Sequence, residues 1–209
     1  MPGSNLIRPF AGHLRERLNL TADQEEVAVF GLQLIVYPFV GILSVIMVGW
    51  LLGCFRTTFA VLMTVTVIRT ASGGAHSSTP LICSLLGMAI LPLVGKMAQL
   101  ISPLFGSFNL SLAVIAGLVI TLIVFWRLSP VDCPAKPVTD TAQRRKLRFC
   151  SIILIFVFTA GQCLLLCNGK AFDLVWAVSL GLWWQTFTLT ASGHRFVAFI
   201  DNLLMKGGE

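Results

Sequence analysis

The chain has 209 residues, of which 56% are hydrophobic and 11% charged, with a formal net charge of +6. Soluble domains carry about 25% charged residues, and a chain this short keeps much of its surface in solvent, so the composition excludes an ordinary soluble domain and makes lipid the solvent over much of that surface. No separate soluble module accompanies the positive charge, which argues against nucleic-acid binding and makes the lysines and arginines a guide to membrane orientation.

Residues 1–26 are polar and charged. Leu6, Ile7, Phe10, Leu14 and Leu18 recur at helical spacing beside Arg8, Arg15 and Arg17, which predicts an amphipathic helix on the membrane surface, with His13 as one of its interfacial residues. The first apolar run begins near Val27 without a small-residue cleavage pattern, so no secretory signal peptide is expected. Residues 27–209 then read as one polytopic domain. Apolar segments follow at 28–52, 55–70, 80–101, 109–128, 149–167 and 171–191, and a spanning helix needs about 20 apolar residues. The expected fold is an all-α integral membrane protein of about six transmembrane helices preceded by an N-terminal interfacial helix. Segment 55–70 is short and threonine-rich, and a re-entrant loop is its alternative. The short connections at 53–54 and 168–170 predict helical hairpins.

The loop 127–148 holds Arg127, Lys136, Arg144, Arg145, Lys146 and Arg148, the N-terminal segment three arginines, and the loop after the second span follows Arg69. With six spans these segments and the C-terminus share one side, expected to be cytoplasmic. The opposite side has little beyond Arg56, Lys170 and Asp173, with Lys96 near a helix end. Gln33, Gln162 and Gln185 lie within apolar spans, where interhelical hydrogen bonds are their expected role.

Six cysteines are scattered through these segments, a pattern unlike a disulfide framework. Cys163 and Cys167 stand one turn apart, as two small apolar residues inside a helix do. No metal or cofactor is expected. Stretch 69–83, RTASGGAHSSTPLIC, places His76 seven positions before Cys83. On one helix seven residues rise about 10.5 Å, too far for the roughly 3 Å contact that a base needs with a thiol, so function requires a bend. Gly73 and Gly74 permit one. Pro80 suits the first helical position and Thr79 the N-cap. Cys83 then falls in the first turn, near free amides at Leu81, Ile82 and Cys83 and the positive end of the helix dipole, which favour a thiolate and an oxyanion. His76 can fold back as base. A histidine and a cysteine at a membrane boundary also have a plain structural reading.

The stretch resembles the signature of the AgrB (accessory gene regulator B) family, membrane cysteine endopeptidases that process bacterial pheromone precursors, with Arg69, Gly73, Gly74, His76 and Cys83 at matching positions. A second likeness lies in 129–149, where Pro130, Asp132, Lys136, Pro137, Arg144, Arg145 and Lys146 match the family's basic loop; a weaker third is TASGHRF at 190–196. The resemblance implies that Cys83 attacks the scissile carbonyl of an AgrD-like propeptide with His76 as base, giving a thioester that an internal nucleophile of the peptide converts to a thiolactone or lactone. Arg69, Gly73, Gly74, Thr79 and Pro80 would support the site. Asp132 or Asp140 would orient His76 if any acid does, His194 is a rival base, and Lys136, Arg144, Arg145 and Lys146 would dock the acidic end of the propeptide or contact anionic lipid. The expected setting is the bacterial cytoplasmic membrane with the site on its cytoplasmic side; the partners are the propeptide and the bilayer, with a homodimer left open. A small transporter or channel and a non-catalytic membrane scaffold are the competing functions.

Overall fold

A computed structural model describes His13, Arg17 and residues 21–77, 79–131 and 140–206. The expected N-terminal interfacial helix falls outside these residues, apart from His13 and Arg17, both helical and exposed. The described residues form seven α-helices: α1 (Ala22–Leu51), α2 (Phe55–Ser72), α3 (Pro80–Ile101), α4 (Ser107–Leu128), α5 (Thr141–Cys167), α6 (Phe172–Leu189) and α7 (Ala191–Lys206).

Capping explains where α1 and α5 begin. Thr21 Oγ1 accepts from Gln24 N at 3.3 Å while Gln24 Oε1 accepts from Thr21 N at 3.0 Å, and Asp23 and Glu25 occupy the first turn. This reciprocal cap, with acids at the positive end of the dipole, starts α1 within the polar segment rather than near residue 28. Likewise Asp140 Oδ1 accepts from Ala142 N at 3.0 Å, so α5 starts at Thr141 and carries Arg144, Arg145, Lys146 and Arg148 on a helix instead of a loop.

Two helices form the inside. Helix α2 packs on α1, α3, α5 and α6, and α6 packs on α2, α3, α4, α5 and α7. One apolar cluster joins Val61, Leu62, Val65, Leu91, Leu110, Val175 and Leu180; a second, toward the other end, joins Ile68, Phe125, Ile155, Leu182 and Leu189. Small residues let backbones close in: a Cβ at either Gly49 or Gly95 would stand under 3.0 Å from Thr58. Many of the polar side chains on or against the inner helices find partners there. Thr64 Oγ1 donates to Ala60 O at 2.8 Å, Thr121 and Thr186 pair at 3.1 Å, and Gln162 Nε2 donates to Val175 O at 3.1 Å and Ser179 Oγ at 2.7 Å.

The outside is apolar. Ile35, Phe39, Leu43 and Met47 on α1, Leu112, Ile115, Val119 and Ile123 on α4, and Ile153, Phe156 and Val157 on α5 are all exposed, as in lipid-facing surfaces. Four segments are long and apolar enough to cross a membrane: Ala22–Leu51, Leu81–Leu104, Ser107–Leu128 and Thr141–Cys167. The chain has the make-up of a multi-pass membrane protein. Helices α2 and α6 fall below that apolarity: α2 carries Arg56, Arg69 and five threonines, and α6 carries Asp173, Gln185 and two threonines. Helix α7, beyond the last expected segment, is held by Phe196, whose ring meets Trp184 and Phe187 edge-on at 6.2 and 5.9 Å.

Candidate functional site

The site is built on the turn that leaves α2. Gly73 has φ +68° and Gly74 φ +137°, a backbone that side chains rarely adopt. Space forbids side chains as well: a Cβ on Gly73 would fall 2.2 Å from Val131 O, and one on Gly74 2.9 Å from Thr188 Oγ1. Three distant parts of the chain meet here. Val131 N donates to Ser72 O at 2.9 Å, and Ala75 N donates to Thr188 O at 2.9 Å. Arg148 Nε donates to Ser129 O at 2.7 Å, tying the start of the 129–149 stretch to α5. Arg69, one turn back on α2, donates through Nη2 to Ala75 O and lies 3.4 Å from His76 Nδ1. The third stretch, TASGHRF, begins two residues after Thr188. Thr190 Oγ1 accepts from Gly193 N at 3.2 Å, and Thr190 O lies 2.9 Å from His194 Nδ1.

Helix α3 begins as the sequence implies. Thr79 is its N-cap with extended backbone, Pro80 follows, and Thr79 Oγ1 accepts from Ile82 N at 3.4 Å. Cys83 lies in the first turn as a free, half-buried thiol. Its amide donates to Thr79 O at 3.2 Å. The expected trio of free amides is therefore corrected: the cap takes Ile82 N and the first helical bond takes Cys83 N, leaving Leu81 N of the three. Among the described residues the other thiols are free too, Cys54 buried and Cys150, Cys163 and Cys167 exposed.

His76 stays accessible to solvent, yet its pKa is lowered from 6.5 to about 4 by burial of part of the ring first, then by Arg69, then by His194. The imidazolium is the disfavoured form, so the ring is neutral at pH 7. His194 is thus an electrostatic neighbour of His76 as well as a rival to it. No hydrogen bond joins His76 to Cys83; the ring's described partner is Arg69. Asp140 is engaged as the cap of α5, while Asp132 and Lys136 lie outside the described residues. Arg145 and Lys146 line a groove of about 560 Å³ on α5 with Phe149, Cys150 and Ile153. Ser72, Val131 and Thr188, which hold the turn, escaped the sequence reading because each acts through contacts made only on folding.

Curated relatives match the chain over most of their length. An AgrB-like protein of Clostridium perfringens strain SM101 is 27% identical over 97% of this chain and 98% of its own. A second, from strain 13 of that species, is 26% identical with the same coverage, and one from Halalkalibacterium halodurans is 26% identical over 90% of this chain and 86% of its own. No solved structure matches the chain. The family model described as Accessory gene regulator B matches residues 7–189, and on that extent the chain belongs to the AgrB family.

Proposed function

We propose that this protein is a membrane-embedded cysteine endopeptidase that cleaves an AgrD-like propeptide at the cytoplasmic face of a bacterial membrane. The observation that carries the reading is the meeting of Val131, Thr188 and His194 with the turn at residues 72–76, which stands seven residues before a free thiol in the first turn of α3. AgrB proteins process AgrD propeptides, and stretches 69–83, 129–149 and 190–196 are the ones that resemble the family.

In this reading Cys83 Sγ attacks the scissile carbonyl carbon as His76 takes the thiol proton. Leu81 N–H and the positive end of α3 stabilise the oxyanion. Collapse breaks the C–N bond, His76 returns the proton to the leaving amine, and the N-terminal part of the propeptide remains as a thioester on Cys83. A cysteine or serine within that peptide then displaces Cys83, closing a thiolactone or lactone and restoring the thiol. His76 starts neutral, so thiol deprotonation accompanies attack instead of preceding it as a standing ion pair. The start of α5, where Arg145 and Lys146 stand beside Phe149 and Ile153, combines the cationic and apolar character that suits the acidic end and amphipathic body of such a substrate, with Arg145 and Lys146 as docking residues. Six helices cross the bilayer, the inner pair α2 and α6 included, and the site faces the cytoplasm.

The test is cleavage of a co-expressed precursor in membranes at matched enzyme levels. Cys83→Ala is expected to abolish it, whereas Cys54→Ala, Cys150→Ala and Cys163→Ala retain most of it. Normal cleavage by Cys83→Ala would remove the mechanism.

A further inference from the structure

Gln185 lies one turn before the end of α6 and is fully buried. Its side-chain nitrogen gives both hydrogens to the turn, one to Ser72 Oγ at 3.0 Å and one to Gly73 O at 2.8 Å. Both acceptors belong to the place where α2 ends and the glycine pair leads the chain away, and where helix carbonyls lose their internal donors. Ser72 Oγ itself donates to Gly73 O at 3.2 Å, so the three groups form one closed set. Thr188, on the same face of α6 one turn on, accepts from Ala75 N at 2.9 Å through its carbonyl, and its hydroxyl donates back to Gln185 O at 2.8 Å. Arg69 holds Ala75 O. Gly73 O, Ala75 N and Ala75 O are thus each fixed from outside the turn, two of them by α6. Gln185 Oε1 has no partner among the described residues. A buried amide with an idle acceptor carries a cost, and what it gains in return is the pair of donated bonds.

We propose that Gln185 is a positioning residue for His76: by anchoring Ser72 and Gly73 from within the bundle it fixes the turn that sets where the imidazole stands relative to Cys83. The proposal rests on the reading that His76 and Cys83 perform the chemistry. Glycines at positive φ give the turn its shape but also leave it loose, because glycine has many accessible backbone states. An anchor that holds the turn's backbone is what makes such a segment fit to hold a base in place. Leucine at 185 would nearly fill the same volume while leaving Gly73 O and Ser72 Oγ without that donor.

The experiment compares the full chain in detergent micelles as wild type, Gln185→Leu, Gln185→Asn and Cys83→Ala, measuring amide hydrogen exchange and precursor cleavage on each. For Gln185→Leu we expect exchange at the Ala75 amide to rise at least tenfold while the interiors of α2 and α6 keep wild-type protection, and kcat to fall tenfold to a hundredfold with KM for the precursor unchanged. Gln185→Asn, whose amide is one methylene short, is expected to fall between the two, and it decides the question if Gln185→Leu does not fold. Unchanged Ala75 exchange, uniform loosening of α2 and α6, or kcat within twofold of wild type would overturn the proposal. Cleavage persisting in Cys83→Ala would remove the enzyme reading instead, and Ala75 exchange would still decide whether Gln185 holds the turn.

Discussion

At His76 three influences act in one direction. Partial burial, the Arg69 guanidinium and His194 all disfavour the imidazolium and hold the pKa near 4 against 6.5 in the unfolded chain. Above pH 6.5 both states are neutral and the difference costs nothing. As pH falls from 6.5 toward 4 the unfolded chain takes up a proton that the folded ring refuses, so folded stability declines across that window and levels off below it. In the proposed mechanism the same shift keeps His76 unprotonated as the base, and the acid limb of kcat/KM is expected near pH 4. His194→Gln removes the third cause; it is expected to retain cleavage and to move that limb upward. An acid limb at 6.5 in the wild type would contradict this account of His76. Gly73→Ala and Gly74→Ala are each expected to lower cleavage at least tenfold, since each added Cβ meets both a positive φ and a neighbour under 3.0 Å away. The local part of this geometry was legible in the sequence: Thr79, Pro80 and Cys83 act within one turn. The contact of Arg69 with His76 was not, because it depends on a backbone reversal that no residue spacing encodes.

Helix ends show the same division between local and non-local information. The cap at Thr79 is expected to contribute about 1 kcal/mol, so Thr79→Val should lower thermal stability in micelles by that order and slow cleavage as the first turn of α3 frays. Wild-type stability and cleavage together would show that the cap is idle. The start of α1 lay hidden because Thr21 and Gln24 cap the helix well before its apolar run begins, and the start of α5 because its first turns are basic. Polar residues continue a helix beyond the membrane boundary, and hydropathy alone ends it there. Helix α7 was missed for a related reason: it is amphipathic, with Val197 buried and Phe199 and Leu203 exposed, and lacks the unbroken apolar run that marks a span.

For the whole molecule, six segments are expected to span, and four described segments are long and apolar enough to do so; the other two, α2 and α6, are the inner pair and carry more polar and charged residues. Packing against neighbouring helices lets the pair keep those polar side chains inside the bundle, while Phe55, Phe59, Val67 and Trp183 remain exposed. The opposite end of the bundle is closed by Lys96 and Gln99, which donate to Leu52 O at 3.1 Å and Gly53 O at 3.3 Å. If six helices cross, single cysteines at positions 106 and 169 of a cysteine-free variant should label on intact cells with an impermeant thiol reagent, and those at 140 and 192 only after permeabilisation. The central claim is that one thiol of this membrane protein carries the peptide, and the most direct measurement is mass spectrometry of the enzyme isolated with a precursor whose internal nucleophile has been replaced by alanine, so that the acyl group cannot leave as a ring. The account predicts the N-terminal propeptide fragment on Cys83 through a bond cleaved by neutral hydroxylamine, and its absence from Cys83→Ala; a processed precursor with unmodified Cys83, or the fragment attached to another cysteine, would contradict it.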